Sequence, residues 1–399
     1  MRTTIRAAVA ALLLGLPAPG SAQNVGTETG FERVTPGWVF TPAMAVGVSF
    51  DDNPVLASLG NPSPSDVVSV VRPAGDLTFT QKHTKLALGY HGTLARYQEL
   101  TEFDNYDQRA TAEFRHQPTK RLQLFARNSY MDSQSTDAVQ VAGVPFFRTG
   151  TRHDELDAGA AIAATKSLEV RSNYRYQWLQ FDRPPGVYGA LLQGGRSHEL
   201  MLDTRRQVSQ RWRIGGSYNF RHATLGQSAQ TFDIQNLEAV GEWQASPTLV
   251  IEGGGGLSYL ALPGPLGTRT GPAAHVSVRK RTQYAFLTLE AMRSFVPSFS
   301  FGGSLRNQEI TGAARAPFAG RRGYLQGSLA WRDSEPVLAR DLALRAVWTE
   351  ATVGYALNRW LSVETYYLGT YQDTNVAGGH VDRNRVGVQI VTSHPVRFE

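Results

Sequence analysis

Leu168-Glu169-Val170-Arg171-Ser172-Asn173-Tyr174-Arg175-Tyr176-Gln177 is the stretch on which the fold turns. At a period of two, Leu168, Val170, Ser172, Tyr174 and Tyr176 fall on one side, and Glu169, Arg171, Asn173, Arg175 and Gln177 on the other. A β-strand sorts residues this way because successive side chains point to opposite faces. Read as a helix, the stretch has no apolar stripe opposite Arg171 and Arg175. The same alternation runs through Leu122–Tyr130, Trp212–Arg221 and Leu361–Leu368.

Between these segments the connections alternate in length. Short polar turns are expected near Gln81–His83, Gln117–Lys120, Thr165–Ser167, Val208–Gln210, Ala245–Thr248, Arg279–Arg281, Gly320–Arg322 and Asn358–Arg359. Longer segments rich in Gly, Pro and Asp separate them, the longest from Asp132 to Thr151. Eight turns and nine loops join 18 strands. Alternation is least regular near Ser298–Pro317 and Pro336–Thr352, so 16 strands is the alternative count. Strands of about 10–15 residues suffice to cross a bilayer at a tilt, which takes roughly 9–11. An even number of strands with short turns on one side and long loops on the other describes an outer-membrane barrel. Lipid offers no hydrogen-bond partners, so only a closed sheet satisfies every backbone group there. The expected fold is all-β: a single transmembrane antiparallel up-and-down β-barrel. Trp212, Trp243 and Trp360 flank short turns, and Tyr97, Tyr106, Tyr130, Tyr176 and Trp178 lie near long loops, as two interfacial girdles require.

The rest of the chain is consistent with that fold. Arg2 and Arg6, the apolar run Ala7–Leu16 and the small pair Gly20 and Ala22 read as a secretory signal over residues 1–22. Residues 23–37 read as a periplasmic lead-in and 38–399 as the barrel. The 399 residues include no cysteine, which excludes disulfides, thiolate metal sites and thiol chemistry. A net charge of +6 with dispersed Arg gives no reason to expect nucleic acid.

If the apolar set faces lipid, the other set faces the lumen. From Asp107 to Arg221 that set holds nine cations and seven carboxylates. The lumen-lining candidates are Arg109, Glu113, Arg127, Arg171, Arg175, Glu199, Asp203, Arg213 and Arg221. A wall this polar needs water, and 18 strands enclose room for it. Phe125 and Tyr366 on the same face are candidates for stacking on sugar rings. The third long loop carries Val139, Val144, Phe146 and Phe147, more apolar groups than a free loop usually exposes, so these are candidates for a constriction folded into the pore.

No catalytic, metal or cofactor site is expected. The chain has no G-x-S-x-G elbow, and its nine histidines make no H-E-x-x-H or similar spacing. His153 with Glu155, and Glu199 with Asp203, share strand faces but read as lumen charges. The run Gly253–Gly256 reads as a close approach or bend in the wall, and Asp51, Asp52 and Asn53 as turn formers.

Ser49-Phe50-Asp51-Asp52-Asn53-Pro54, Val71-x-Pro73, Tyr90, Tyr97 and Asn105-Tyr106-Asp107 resemble the β-barrel porins found with bacterial exopolysaccharide machinery. Arg385-Val386-Gly387-Val388-Gln389 and Pro395-Val396-Arg397-Phe398 are similar to that family's final strand. Outer-membrane barrels usually finish on an aromatic that the insertion machinery recognises; here Glu399 follows Phe398. The resemblance implies a Gram-negative outer-membrane exit for a secreted polysaccharide. Its partners would be outer-membrane lipid, the insertion machinery, the polysaccharide and periplasmic export proteins. The alternatives are a general or sugar-selective diffusion porin, and an outer-membrane enzyme acting on lipid or glycan.

Overall fold

The computed structural model describes residues 36–57, 63–139, 141–182, 192–226, 230–262, 267–300, 303–337, 343–375 and 379–398. The expected signal peptide and all but the last two residues of the lead-in lie outside them. Eighteen long strands run in chain order: β1 (Gly37–Asp51), β2 (Asp66–Gln81), β3 (Thr84–Tyr97), β4 (Asn105–Thr119), β5 (Leu122–Ser133), β6 (Thr151–Ala163), β7 (Leu168–Phe181), β8 (Gly195–Gln207) and β9 (Trp212–Leu225). The second half comprises β10 (Thr231–Ser246), β11 (Leu249–Ala261), β12 (Thr268–Arg281), β13 (Phe286–Pro297), β14 (Ser304–Phe318), β15 (Gly323–Pro336), β16 (Leu344–Ala356), β17 (Leu361–Thr374) and β18 (Val381–Ser393).

Each strand pairs antiparallel with the next. β1 closes the sheet on β18, from Ala43 opposite Ser393 to Asp51 opposite Arg385. A short β19 (Val396–Phe398) continues the seam against Trp38–Phe40 after the ladder breaks at His394-Pro395. The segments that left 16 strands open contain regular ladders in β14 and β16, and the barrel has 18 strands. Seven turns lie where the sequence puts them. The sixth falls at 282–285 because Arg279–Arg281 stay in the ladder opposite Thr288–Phe286.

Register fixes which residues look outward. On β1 these are Trp38, Phe40, Met44, Val46, Val48 and Phe50, all exposed, while Ala45, Ser49 and Asp51 point inward and are buried. Leu237 and Leu257 face each other across β10 and β11 on the outside and are 64% and 68% exposed. Water would not tolerate so continuous an apolar belt, but hydrocarbon would. A closed barrel wearing this belt is an outer-membrane protein. Of the expected girdle, Tyr106 and Trp212 face out, whereas Tyr97 is a correction: odd-numbered positions of β3 look inward, and Tyr97 is buried in the lumen.

Candidate functional site: the lumen and the loop that crosses it

The inner wall changes character along the barrel axis. Near the periplasmic turns the inward residues Gln123, Arg171, Arg213 and Arg279 are exposed to water. Near the long loops Val68, Ser133, Thr151, Leu179, Leu225, Phe232, Leu260, Leu305, Ser334, Leu344 and Arg383 are buried, although they look into the same lumen. Most of the filling is the third long loop, residues 134–139 and 141–150, with Leu56, Leu192 and Phe299 of other loops beside it.

Two apolar clusters hold this loop. Val141 and Val144 join Leu179, Phe181, Leu225, Ile234 and Leu260 on the walls of β7 and β9 to β11, with Val139 and Phe147 packed against that cluster. Phe146 goes the other way, into Trp348, Ala330, Ala346 and Val381 on β15, β16 and β18, and onto Leu56 of the first loop. Its ring meets Trp348 edge-on at 6.3 Å. The loop therefore spans the lumen and is packed on two sides. Val144 and Phe146 are buried, and Val139 and Phe147 partly buried.

Polar ties fix it in register. Arg332 donates to the Val141 carbonyl at 2.9 Å while also bonding Glu309. The Phe146 amide donates to the Gln372 side-chain oxygen at 2.5 Å. Ser300 donates to the Gly143 carbonyl at 2.5 Å. Gly143 has a φ of 73°, and a Cβ there would lie 2.8 Å from a Leu305 methyl, so glycine suits this bend. Arg383 bonds Asp137 of the loop at 2.7 Å and Asp51 of β1 at 2.6 Å. Arg148 donates to the Phe103 carbonyl at 2.6 Å and lies over the Phe103 ring at 4.9 Å. In the neighbouring second loop the Arg96 guanidinium and the Tyr97 amide hold the Asp104 carboxyl below its ordinary pKa.

Lower down, most lumen candidates are paired. Arg175 reaches Glu155 at 3.5 Å, Asp157 at 3.3 Å and Glu199 at 3.8 Å. Glu199, buried, takes Arg221 at 2.6 Å and also Asn219. Arg171 lies 3.7 Å from Glu169, and Arg213 3.4 Å from Glu242. Glu113 takes Arg115 at 2.7 Å, and Asp203 lies 3.9 Å from Arg205. Arg109 and Arg127 differ. Both face inward and are exposed, and neither makes a close ion pair among the described residues; Arg127 stands in register between Glu113 and Asp157, Glu350 acts on Arg109, and the Met131 sulfur holds Arg109 at 3.1 Å. At the long-loop end lie a cleft of about 130 Å³ lined by Glu102–Asn105, Gln134, Arg148 and Thr149, and a larger one of about 410 Å³ lined by Trp178–Phe181, Leu192–Arg196 and Thr224–Gly226.

Other sequence candidates take different places. Tyr366 is buried and its ring is covered by Arg72 at 4.9 Å, so it offers no face to a sugar. Phe125 lies over Gly159 on the inner wall. His153 bonds Gln177 at 3.1 Å. Asn53 is a turn former: its side chain accepts from the Ala57 amide at 2.8 Å and donates back to the Ala57 carbonyl at 2.9 Å. Asp51 instead anchors Arg383 and Arg385. Among the described residues no group of three His, Asp or Glu is arranged to hold a metal. Sequence reasoning missed Arg332, Gln372 and Trp348, which hold the crossing loop. Their signal, an inward position near a strand's outer end, exists only once the register is known.

No protein-family model and no curated protein matches the chain. Among solved structures it is similar to the Acinetobacter baumannii protein OccAB4, at 7% identity and a TM-score of 0.45, over 92% of this chain and 100% of that one. It is similar to OccAB3 of the same organism, at 9% identity and a TM-score of 0.43, over 90% and 99%. Pseudomonas aeruginosa OccK2, solved in complex with glucuronate, matches at 11% identity and a TM-score of 0.43, over 90% and 98%. Likeness of this strength carries no functional information, and the barrel assignment stands on the register of the strands. The chain is an outer-membrane β-barrel whose charged lumen is lined by exposed residues toward the short-turn end and is crossed near the long-loop end by the third long loop.

Proposed function

We infer that the barrel is a diffusion channel for small polar solutes, with a preference for anions. The observation that carries this reading is the loop crossing. Apolar packing of Val144 and Phe146 into opposite walls narrows the route through the outer mouth. Such a route suits small solutes better than a hydrated polymer, and the polysaccharide-exit expectation draws no support from it. Below the mouth a solute meets Arg109 and Arg127, inward and exposed cations outside the close ion pairs, with Glu113 and Asp157 beside Arg127 and Glu350 acting on Arg109. A guanidinium outside a close ion pair attracts anions through charge and its planar fork. The arginines in close ion pairs contribute less, because a carboxylate in contact with the guanidinium cancels most of its field.

The test is permeation into proteoliposomes by neutral sugars of increasing size, with reversal potentials measured in a salt gradient. Small sugars should enter and oligosaccharides should not. Arg109→Ser with Arg127→Ser should shift the reversal potential toward cations, whereas Arg171→Ser should leave it nearly unchanged. Free passage of long oligosaccharides, together with loss of a surface polysaccharide on gene deletion, would favour the exporter instead.

A further inference from the structure

The two ends of the barrel handle their cations differently. At the outer end several exposed cations are paired: Arg96 with Asp104 at 2.6 Å, Arg306 with Glu335 at 2.9 Å, Arg345 with Asp333 at 3.3 Å. In the periplasmic turns themselves the pattern differs. Lys82, Lys120, Lys166, Arg211, Arg322 and Arg359 each stand in a different turn, exposed, and among the described residues none makes an ion pair. The eight turns contain no Asp or Glu at all, and all five lysines of the chain lie in these turns or within a few residues of them. Adjacent turns are two strands apart, about 10 Å at the usual strand spacing. That is close to the Debye length of about 8 Å, so neighbouring charges repel, and the ring gains from a counter-charge.

Depth identifies the counter-charge. Trp212 follows Arg211 directly and Trp360 follows Arg359, whose guanidinium lies over the Trp360 ring at 4.6 Å. Trp212 stacks on Trp243 at 5.7 Å on the outer face, and Trp38 is exposed at the same end. Tryptophan on a barrel exterior settles at the level of lipid headgroups. The cations one residue beyond therefore sit at phosphate depth. They are spread around the circumference, which suits an annulus of lipid better than a folded partner touching one arc. We propose that the periplasmic turns form a binding ring for anionic phospholipid headgroups of the inner leaflet.

The experiment uses the full barrel reconstituted in phosphatidylcholine with brominated phosphatidylglycerol, or with brominated phosphatidylcholine as control, read by tryptophan quenching. Attraction of about 1 kcal/mol per basic residue predicts roughly fivefold enrichment of phosphatidylglycerol at low salt. The enrichment should fall toward unity in 0.5 M salt (about a 4 Å screening length). It should also vanish in a variant carrying K82Q, K120Q, K166Q, R211Q, R322Q and R359Q. Heat-dependent gel mobility shows that this variant is folded. Equal quenching by the two lipids in the parent, or enrichment that survives in the folded variant, overturns the proposal. Binding of soluble polygalacturonate that the variant loses, with no lipid preference, would assign the ring to a soluble polyanion and overturn it equally.

Discussion

Arg383 serves two carboxylates at once, and the difference between them can be measured. Asp51 is fully buried at the closing seam, with Arg383 and Arg385 each at 2.6 Å; Asp137 belongs to the crossing loop. Removing the Arg383 guanidinium leaves Asp51 with Arg385 and also breaks the Asp137 pair, two charge-assisted contacts of about 1.5–3 kcal/mol each. Asp137→Asn keeps the Asp51 pairs and gives up one charge-assisted bond, about 1.5–3 kcal/mol. Arg383→Met should therefore lower the unfolding midpoint, followed by gel mobility against temperature, clearly more than Asp137→Asn. Equal midpoints would remove Arg383 from the seam. Phe146→Ala empties a site against Trp348 and should destabilise by about 3–5 kcal/mol if the loop stays docked. Little of this was legible in the sequence. Asp51 reads as a turn former because its partners come from the far end of the chain, and nothing local marks Arg383 as different from the lumen arginines.

At the scale of the strands, the run Gly253–Gly256 separates roles that composition cannot. A Cβ on Gly255 would meet nothing within 4 Å, whereas one on Gly256 would lie 1.8 Å from the Leu237 carbonyl oxygen. Gly254 makes room for His275, which bonds Glu238 at 2.5 Å. Gly256→Ala should cost about 1–3 kcal/mol through forced backbone shifts, and Gly255→Ala about 0.5 kcal/mol or less. Urea titration of both variants in detergent checks this, and similar losses would contradict the close approach. The strands themselves were readable, because period two is a local property and each turn is marked by its own polar residues. Facing was readable only where apolar and charged sets are cleanly split, as in β7. On β3, Tyr97 falls among small inward residues and looks like a girdle aromatic until the register places it inside. The third loop's apolar content announced burial, but its partners on six or more strands depend on closure of the whole sheet.

Across the whole molecule, the topology predicts opposite accessibility for the two rims. Cysteine at Glu102, in an outer loop, should react on intact cells with a membrane-impermeant reagent, and cysteine at Lys166, in a turn, should not. The reverse pattern would invert the barrel. The polar lumen and the apolar crossing act together in one quantity, the ion current through a single barrel. Planar-bilayer conductance of the parent and of a variant lacking residues 139–147 measures it most directly. The parent should conduct weakly, and the deletion should raise single-channel conductance several-fold while the protein keeps its heat-dependent mobility. A parent that already conducts like an empty barrel of 18 strands, with no change on deletion, would contradict a loop packed across the mouth.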